Sequence, residues 1–214
     1  MKQTLLALDL STAQGSIAVM RGDDVLFESV FQSERSHNAQ VFAPLREALT
    51  AAGNELAGIV IGTGPGSYTG VRIAIAAAQG VGLSRRVWCI GWSSLTAPDI
   101  DAPSSYSVIG DARRQSFYLA KVENGRLRPE VETVSPEVAR ERVSGGEWLT
   151  FDAKVPLGLE QVCLAKPCAK RLAQNVFRLS ADEIAGLATQ PLIPHYLAEA
   201  FITQAKRPFS TTPR

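Results

Sequence analysis

Histidine is nearly missing from this chain of 214 residues, which carries only His37 and His195. They stand far apart, and the position four after His37 is Val41, so no helical histidine pair is available to grip a metal ion. Cysteine is scarce as well. Cys89, Cys163 and Cys168 are odd in number and lack metal spacing, which suits reduced, mostly packed thiols rather than a disulfide framework. Neither sign of charge prevails, since 22 Lys and Arg face 21 Asp and Glu for a net charge of +1. The basic clusters are short (Arg85-Arg86, Arg113-Arg114, Lys206-Arg207), so the electrostatic footprint of a nucleic-acid binder is absent, and an RNA-linked role needs another source of grip. No apolar run reaches membrane-spanning length. Met1-Lys2-Gln3 leads straight into a strand-like segment without a separate apolar core or cleavage site, so the expectation is a cytoplasmic protein with no membrane partner.

What is present is an ordinary globular composition, 45% apolar and 20% charged, enough for one good core or two small ones. "TLLALDL" (4–10), "GSIAVMR" (15–21) and "VLFESVF" (25–31) read as three strands joined by tight turns. Ser36 is placed to cap a helix running to about Ala52, with Val41, Leu45, Ala48, Leu49 and Ala52 at helical spacing and Pro44 expected to bend it. "AGIVIGT" reads as a buried strand, a glycine-rich loop and a helix to about Gly82 follow, and "VWCIGW" is the next strand. The segment "APDIDAPSS" (97–105) marks a boundary. Beyond it the first pattern starts again: strand, aspartate, turn, alternating strand, glycine turn, third strand. Asp9 precedes Gly22 by 13 residues and Asp111 precedes Gly125 by 14. Two ordinary hairpins give the same spacing, so this alone leaves duplication open; if real, it gives two related α/β halves meeting at a cleft. In the second half Ser135-Pro136-Glu137 opens a helix, "GEWLTFDA" is a strand, and Ser180 to Glu183 has capping-box form.

The chemistry-bearing stretches are two. Asp9-Leu10-Ser11-Thr12 lies where the first strand turns into the second, so a carboxylate and two hydroxyls can meet a phosphate or its metal ion; the same hydroxyls can instead satisfy turn backbone. "GTGPGSYTGVRIAIAAAQG" (62–80) joins an apolar strand to a helix of small residues. It has neither the lysine of a P-loop nor the G-x-G-x-x-G spacing. Gly64 and Gly66 permit positive φ, and Ser67 or Thr69 can cap the helix and leave N–H groups for an anion. A tight connection with nothing bound fits equally. The helix behind the loop is apolar on nearly every side and wants cover on two faces, from this chain or from another.

"ALDLSTAQGSIAV", "RSHNAQVFAPLREAL", the glycine loop with G-P-G-S-Y-T-G-V-R-I, "IGDARRQSFYLAKV" and "IPHYL" together resemble the TsaB (YeaZ) family, in order and over most of the chain. The resemblance implies a duplicated two-lobed α/β fold of the actin-like ATPase kind (ASKHA, ribonuclease H-like). Its first lobe spans 1–102, its degenerate second lobe 103–184, and the segment from about 185 to 214 packs back on the first. It implies a non-catalytic partner in making threonylcarbamoyladenosine on the adenosine next to the anticodon of tRNA. Such a protein pairs with TsaD, which performs the transfer, while TsaE joins the assembly; tRNA is met through the complex, and the isolated chain is a homodimer. TsaD carries a metal-binding histidine pair on the helix matching 37–52, where this sequence has only His37. The resemblance therefore implies no catalytic residue, metal or cofactor here. Asp9, Ser11, Thr12, Gly64, Gly66, Ser67 and Thr69 are at most a vestigial nucleotide site. The family's interface helices put Ile73, Ala74, Ala77, Val41 and Leu45 at the partner face. The competing reading is an enzyme, an actin-fold phosphotransferase or TsaD-like acyl transferase using Asp9 and the Gly64–Gly70 loop.

Overall fold

Thr4–Asp9 is apolar at nearly every position, a pattern that suits a strand covered on both faces. It forms β1, with all six residues buried. In the computed structural model, which describes residues 2–32, 37–129 and 131–197, β1 pairs antiparallel with β2 (Gln14–Arg21), and β2 with β3 (Asp24–Gln32). Gly22, at φ 58°, makes the β2–β3 turn in a backbone region that most side chains avoid. β4 (Leu56–Gly62) and β5 (Trp88–Trp92) run parallel to β1, giving the sheet order β3-β2-β1-β4-β5.

The second sheet repeats this plan. β6 (Ser105–Arg113) pairs antiparallel with β7 (Ser116–Glu123) and parallel with β10 (Trp148–Thr150), which in turn pairs with β11 (Val162–Leu164). β8 (Arg126–Leu127) and β9 (Glu132–Val134) both add to β7. The order β8-β7-β6-β10-β11 matches that of the first sheet strand for strand. The duplication that the two aspartate-to-glycine spacings left open, and that the family resemblance implies, is visible in the strand pairing.

Helices α1 (His37–Ala52) and α2 (Tyr68–Arg85) cover one face of the first sheet, where Val41, Leu45, Ala48, Val71, Ala74, Ile75 and Ala78 pack with Leu6, Leu8, Ile17 and Ile59. Each large aliphatic side chain so removed from water contributes about 1.5–3 kcal/mol. α1 runs through Pro44 without interruption; its expected cap, Ser36, lies outside the described residues. The opposite face is covered by α4 (Ala169–Val176) and α5 (Ala181–Ala188). Leu172, Ala173 and Val176 meet Leu5, Met20, Val60 and Ile90, and Ile184 and Leu187 pack beside them. The expected boundary of the second lobe is 184, whereas α4 and the apolar side of α5 pack on the first sheet. The reason is that β1, β2 and β4 are apolar on both sides and need a second covering layer. Leu192 then reaches the α1–α2 side of the core, and the His195 amide donates to the Thr63 carbonyl at 2.8 Å. α3 (Pro136–Arg142), capped by Ser135, packs through Ala139 on the second sheet. No helix among the described residues is long and apolar enough to cross a membrane.

Candidate functional site

A cleft of about 1030 Å³ opens between the two sheets. The first lobe lines it with the β1–β2 turn (Ser11, Thr12) and with Gly66, Ser67, Tyr68 and Thr69. The second lobe contributes Asp111, Arg113, Asp152 and Lys154, and the returning segment adds His195 and Tyr196. Of the residues read as a nucleotide site, the structure gathers Ser11, Thr12, Gly66, Ser67 and Thr69 on this wall. Asp9 and Gly64 are not among them.

Asp9 is the decisive departure. It closes β1 as expected, yet it is fully buried and turned toward the end of β4, where a β-carbon on Gly62 would lie 1.8 Å from Oδ2. Oδ1 accepts from the Ser11 amide at 2.8 Å and the Ser11 hydroxyl at 2.6 Å. Oδ2 has no hydrogen-bond partner. Burial pushes the carboxyl above its ordinary range, against the hydroxyls of Ser11 and Ser94 beside it and the Ser11 amide. In this position the carboxylate has no surface open to the cleft.

The glycine loop is closed in the same way. The Gly64 amide donates to Ser94 Oγ at 2.9 Å, the Ser67 amide to the Ser11 carbonyl, and the Gly70 amide to Ser67 Oγ at 3.2 Å, the N-cap of α2. Three donors that an anion would use are thereby taken by the protein itself. Thr12 Oγ1 donates to the Gln14 carbonyl and so satisfies its own turn. On the opposite wall Asp152 Oδ2 accepts from the Asp111 amide at 2.8 Å, and burial raises the Asp152 carboxyl. Asp111, the counterpart of Asp9, is exposed and paired with Arg113. The two copies have diverged at this aspartate, which ends β1 but lies two residues before the end of β6.

A second concavity, about 640 Å³ and almost wholly apolar, runs between α1 and α2. Phe42, Leu45 and Leu49 form one side, and Ile73, Ala76, Ala77, Gly80 and Val81 the other. Phe42 is 58% exposed and Leu83, farther along α2, 83%. The helix faces differ from the expected assignment. Val41 and Ala74 are completely buried in the chain's own core, so neither can touch a partner, while Ile73, Ala77 and the edge of Leu45 do line the groove. Gly70, Ala74, Ala78 and Gly82 recur every four residues on the buried side. Their small size lets α2 lie directly on the sheet: a β-carbon on Gly70 would meet the Leu10 carbonyl at 1.9 Å, and one on Gly82 the Cys89 sulfur at 2.5 Å. The small-residue stripe therefore serves internal packing.

Comparison with known proteins fits this geometry. The chain is 34% identical over 162 residues to the tRNA threonylcarbamoyladenosine biosynthesis protein TsaB of Escherichia coli (strain K12), covering 68% of this chain and 69% of that one. The chain belongs to the TsaB family. The TsaB protein of Bacillus subtilis (strain 168) is 32% identical over 154 residues, 68% of this chain and 64% of its own length. The family model described as TsaD, tRNA N6-adenosine threonylcarbamoyltransferase, matches residues 28–187. YeaZ from Pseudomonas aeruginosa superposes with a TM-score of 0.66 at 24% identity, over 91% of this chain and all of that one. The fold is the two-lobed actin-like one.

Within this TsaB fold, three site features escaped the sequence reading. Phe42 and Gly80 complete the groove, and Tyr196 stacks on Tyr68 with ring centroids 5.3 Å apart. The i, i+4 spacing of Gly70, Ala74, Ala78 and Gly82 was the available signal for which side of α2 faces inward. Nothing local announces the tyrosine pair, whose members are brought together only by the returning segment.

Proposed function

We propose that this chain is a non-catalytic TsaB-type subunit for threonylcarbamoyladenosine formation on tRNA. It pairs with a TsaD homologue that carries out the transfer, with a TsaE homologue in the same assembly, at the adenosine next to the anticodon. The observation that carries this reading is the burial of Asp9. The one carboxylate at the end of the first strand, where an actin-like phosphotransferase would present it, is sealed under Gly62, and the neighbouring loop amides are already bonded. On this reading the feature of the first lobe that serves is the apolar α1–α2 groove. An exposed apolar concavity of this kind is what a docking subunit offers a partner, and the same face is the one expected to pair two copies of the isolated chain.

The test is co-purification of the chain with the TsaD homologue of its own genome, followed by sedimentation of the pair. Stable capture with a defined stoichiometry is expected, with threonylcarbamoyl transfer requiring both proteins. Calorimetric titration of the isolated chain with ATP and magnesium separates the enzyme reading. Stoichiometric binding accompanied by turnover would overturn the proposal, since the cleft would then be working despite the buried Asp9.

A further inference from the structure

Tyr68 and Tyr196 lie at the mouth of the cleft, 55% and 50% exposed, with their rings stacked at an interplanar angle of 29°. Two separate pieces of chain are needed to put them there. Tyr68 opens α2 behind the Ser67 cap, and Tyr196 follows His195, whose amide is held by the Thr63 carbonyl. One turn into α2, Arg72 donates to the Tyr68 hydroxyl, and its guanidinium carbon lies 5.1 Å from the centre of the Tyr68 ring. Neither tyrosine belongs to a core cluster. Leaving two aromatic faces half in water forgoes burial, and neither the packing nor the docking groove uses them.

We propose that this Tyr68–Tyr196–Arg72 cluster is a stacking platform for an unpaired base of RNA. A flat π-face with an adjacent guanidinium is what a splayed-out base and its phosphate require, and it works without a strongly basic surface. That matches a chain of net charge +1. RNA is favoured over a free nucleotide because the loop amides behind the rim that would grip a polyphosphate are already bonded within the protein. A strand crossing the rim keeps its phosphates beside Arg72, with Arg113 and Lys154 on the facing wall. The choice of RNA as the source of the base rests on the tRNA-modification reading; the stacking itself is a property of this chain.

The experiment uses the full chain alone, so it can fail while partner capture succeeds, and the reverse. Fluorescence anisotropy of a labelled single-stranded oligoribonucleotide of about ten nucleotides is measured at low salt against the parent, Tyr68→Ala, Tyr196→Ala and the double Tyr→Phe variant, each checked by a thermal melt. The parent is expected to bind the single strand better than the matching duplex. Each alanine variant should lose roughly fivefold to a hundredfold in affinity, while the phenylalanine variant, which keeps both π-faces, stays near the parent. Folded alanine variants that bind like the parent overturn the proposal, as does equal binding of single strand and duplex. Complete displacement by millimolar AMP would place a free nucleotide on the platform and overturn the RNA assignment. Should Tyr68→Ala fail to fold, Tyr196→Ala decides alone.

Discussion

Gly66 rests directly on Ser11. A β-carbon on Gly66 would stand 2.1 Å from the Ser11 carbonyl oxygen, and the next amide, that of Ser67, donates to the same oxygen. The two stretches of sequence that suggested phosphate chemistry are bonded to one another.

The first prediction follows from that contact. Gly66→Ala meets the Ser11 carbonyl and must also hold φ 155°, a conformation that side chains rarely adopt. Displacing the loop costs its hydrogen bond to Ser11 on top of the strain, so the variant should be destabilised by about 1–3 kcal/mol in a urea titration. An unchanged midpoint would mean that the loop yields freely and holds nothing in place.

Asp9→Asn tests whether the buried carboxyl has any use for its charge. Its folded-state pKa is raised above the ordinary 3.8 by burial. Stability tied to the neutral form is therefore complete below 3.8 and is lost as pH rises through the folded value. Asparagine keeps the acceptor for the Ser11 amide and carries no charge. Thermal melts should place Asp9→Asn at or above the parent at pH 7, with the two converging near pH 4, and partner capture should be unchanged. A lower melting temperature at pH 7 together with lost transfer activity would restore a role for the carboxylate.

The strands were legible because Thr4–Asp9 and Leu56–Gly62 are apolar enough to require burial, and the glycine turns mark where they end. α5 was legible through its capping box, in which Ser180 and Glu183 bond reciprocally. α4 was not read, although its buried Ala169, Leu172, Ala173 and Val176 recur at i, i+3, i+4 and i+7: it is only eight residues long and starts at Cys168 without a side-chain cap, so no start signal marks it. β11, three residues long, carries even less signal. The fate of Asp9 was hidden for a different reason. The sequence places the aspartate at the strand end, but its side-chain direction depends on the space over Gly62, which belongs to a strand paired with β1 from far along the chain. The helix faces of α2 were ambiguous because small residues serve close packing within a chain as well as between chains.

Glu183 gives a pH-dependent prediction. Oε2 accepts from the Ser180 amide at 2.8 Å, and Oε1 from Arg126 at 2.6 Å. Arg126 comes from β8 of the second sheet and lies over the Trp92 ring of the first, so the carboxylate helps tie the lobes together. The Ser180 amide first, and Arg126 with it, lower its pKa from 4.5 to about 2. The stability this supplies is present above 4.5 and lost as pH falls toward about 2. Glu183→Gln should therefore melt below the parent at pH 7, with the gap closing between pH 4.5 and 2. A gap that stays constant across that range would assign the effect to geometry and not to charge.

The last prediction separates a docking groove from a core by substitutions three residues apart on α2. Ala74 has no exposed surface and packs among Leu6, Leu8 and Ile59, so Ala74→Arg forces a cation into the apolar core and should unfold the chain. Ala77 borders the groove and is half-buried, so an arginine there can run along the apolar wall and keep its charge in water. Ala77→Arg should keep its melting temperature within a few degrees of the parent. At a closely packed helix contact, however, it removes about 2–4 kcal/mol of association, or roughly thirtyfold to a thousandfold in affinity. Gly80 supplies an uncharged check, because a β-carbon there meets nothing within 4 Å in the free chain. Gly80→Ala should stabilise the helix by about 0.5–1 kcal/mol; Gly80→Leu should fold equally well while filling the groove. Self-association in sedimentation and capture by the TsaD homologue should weaken together in Ala77→Arg and Gly80→Leu and persist in Gly80→Ala. If both blocking variants stay folded and still bind the partner as the parent does, the groove is not the docking face.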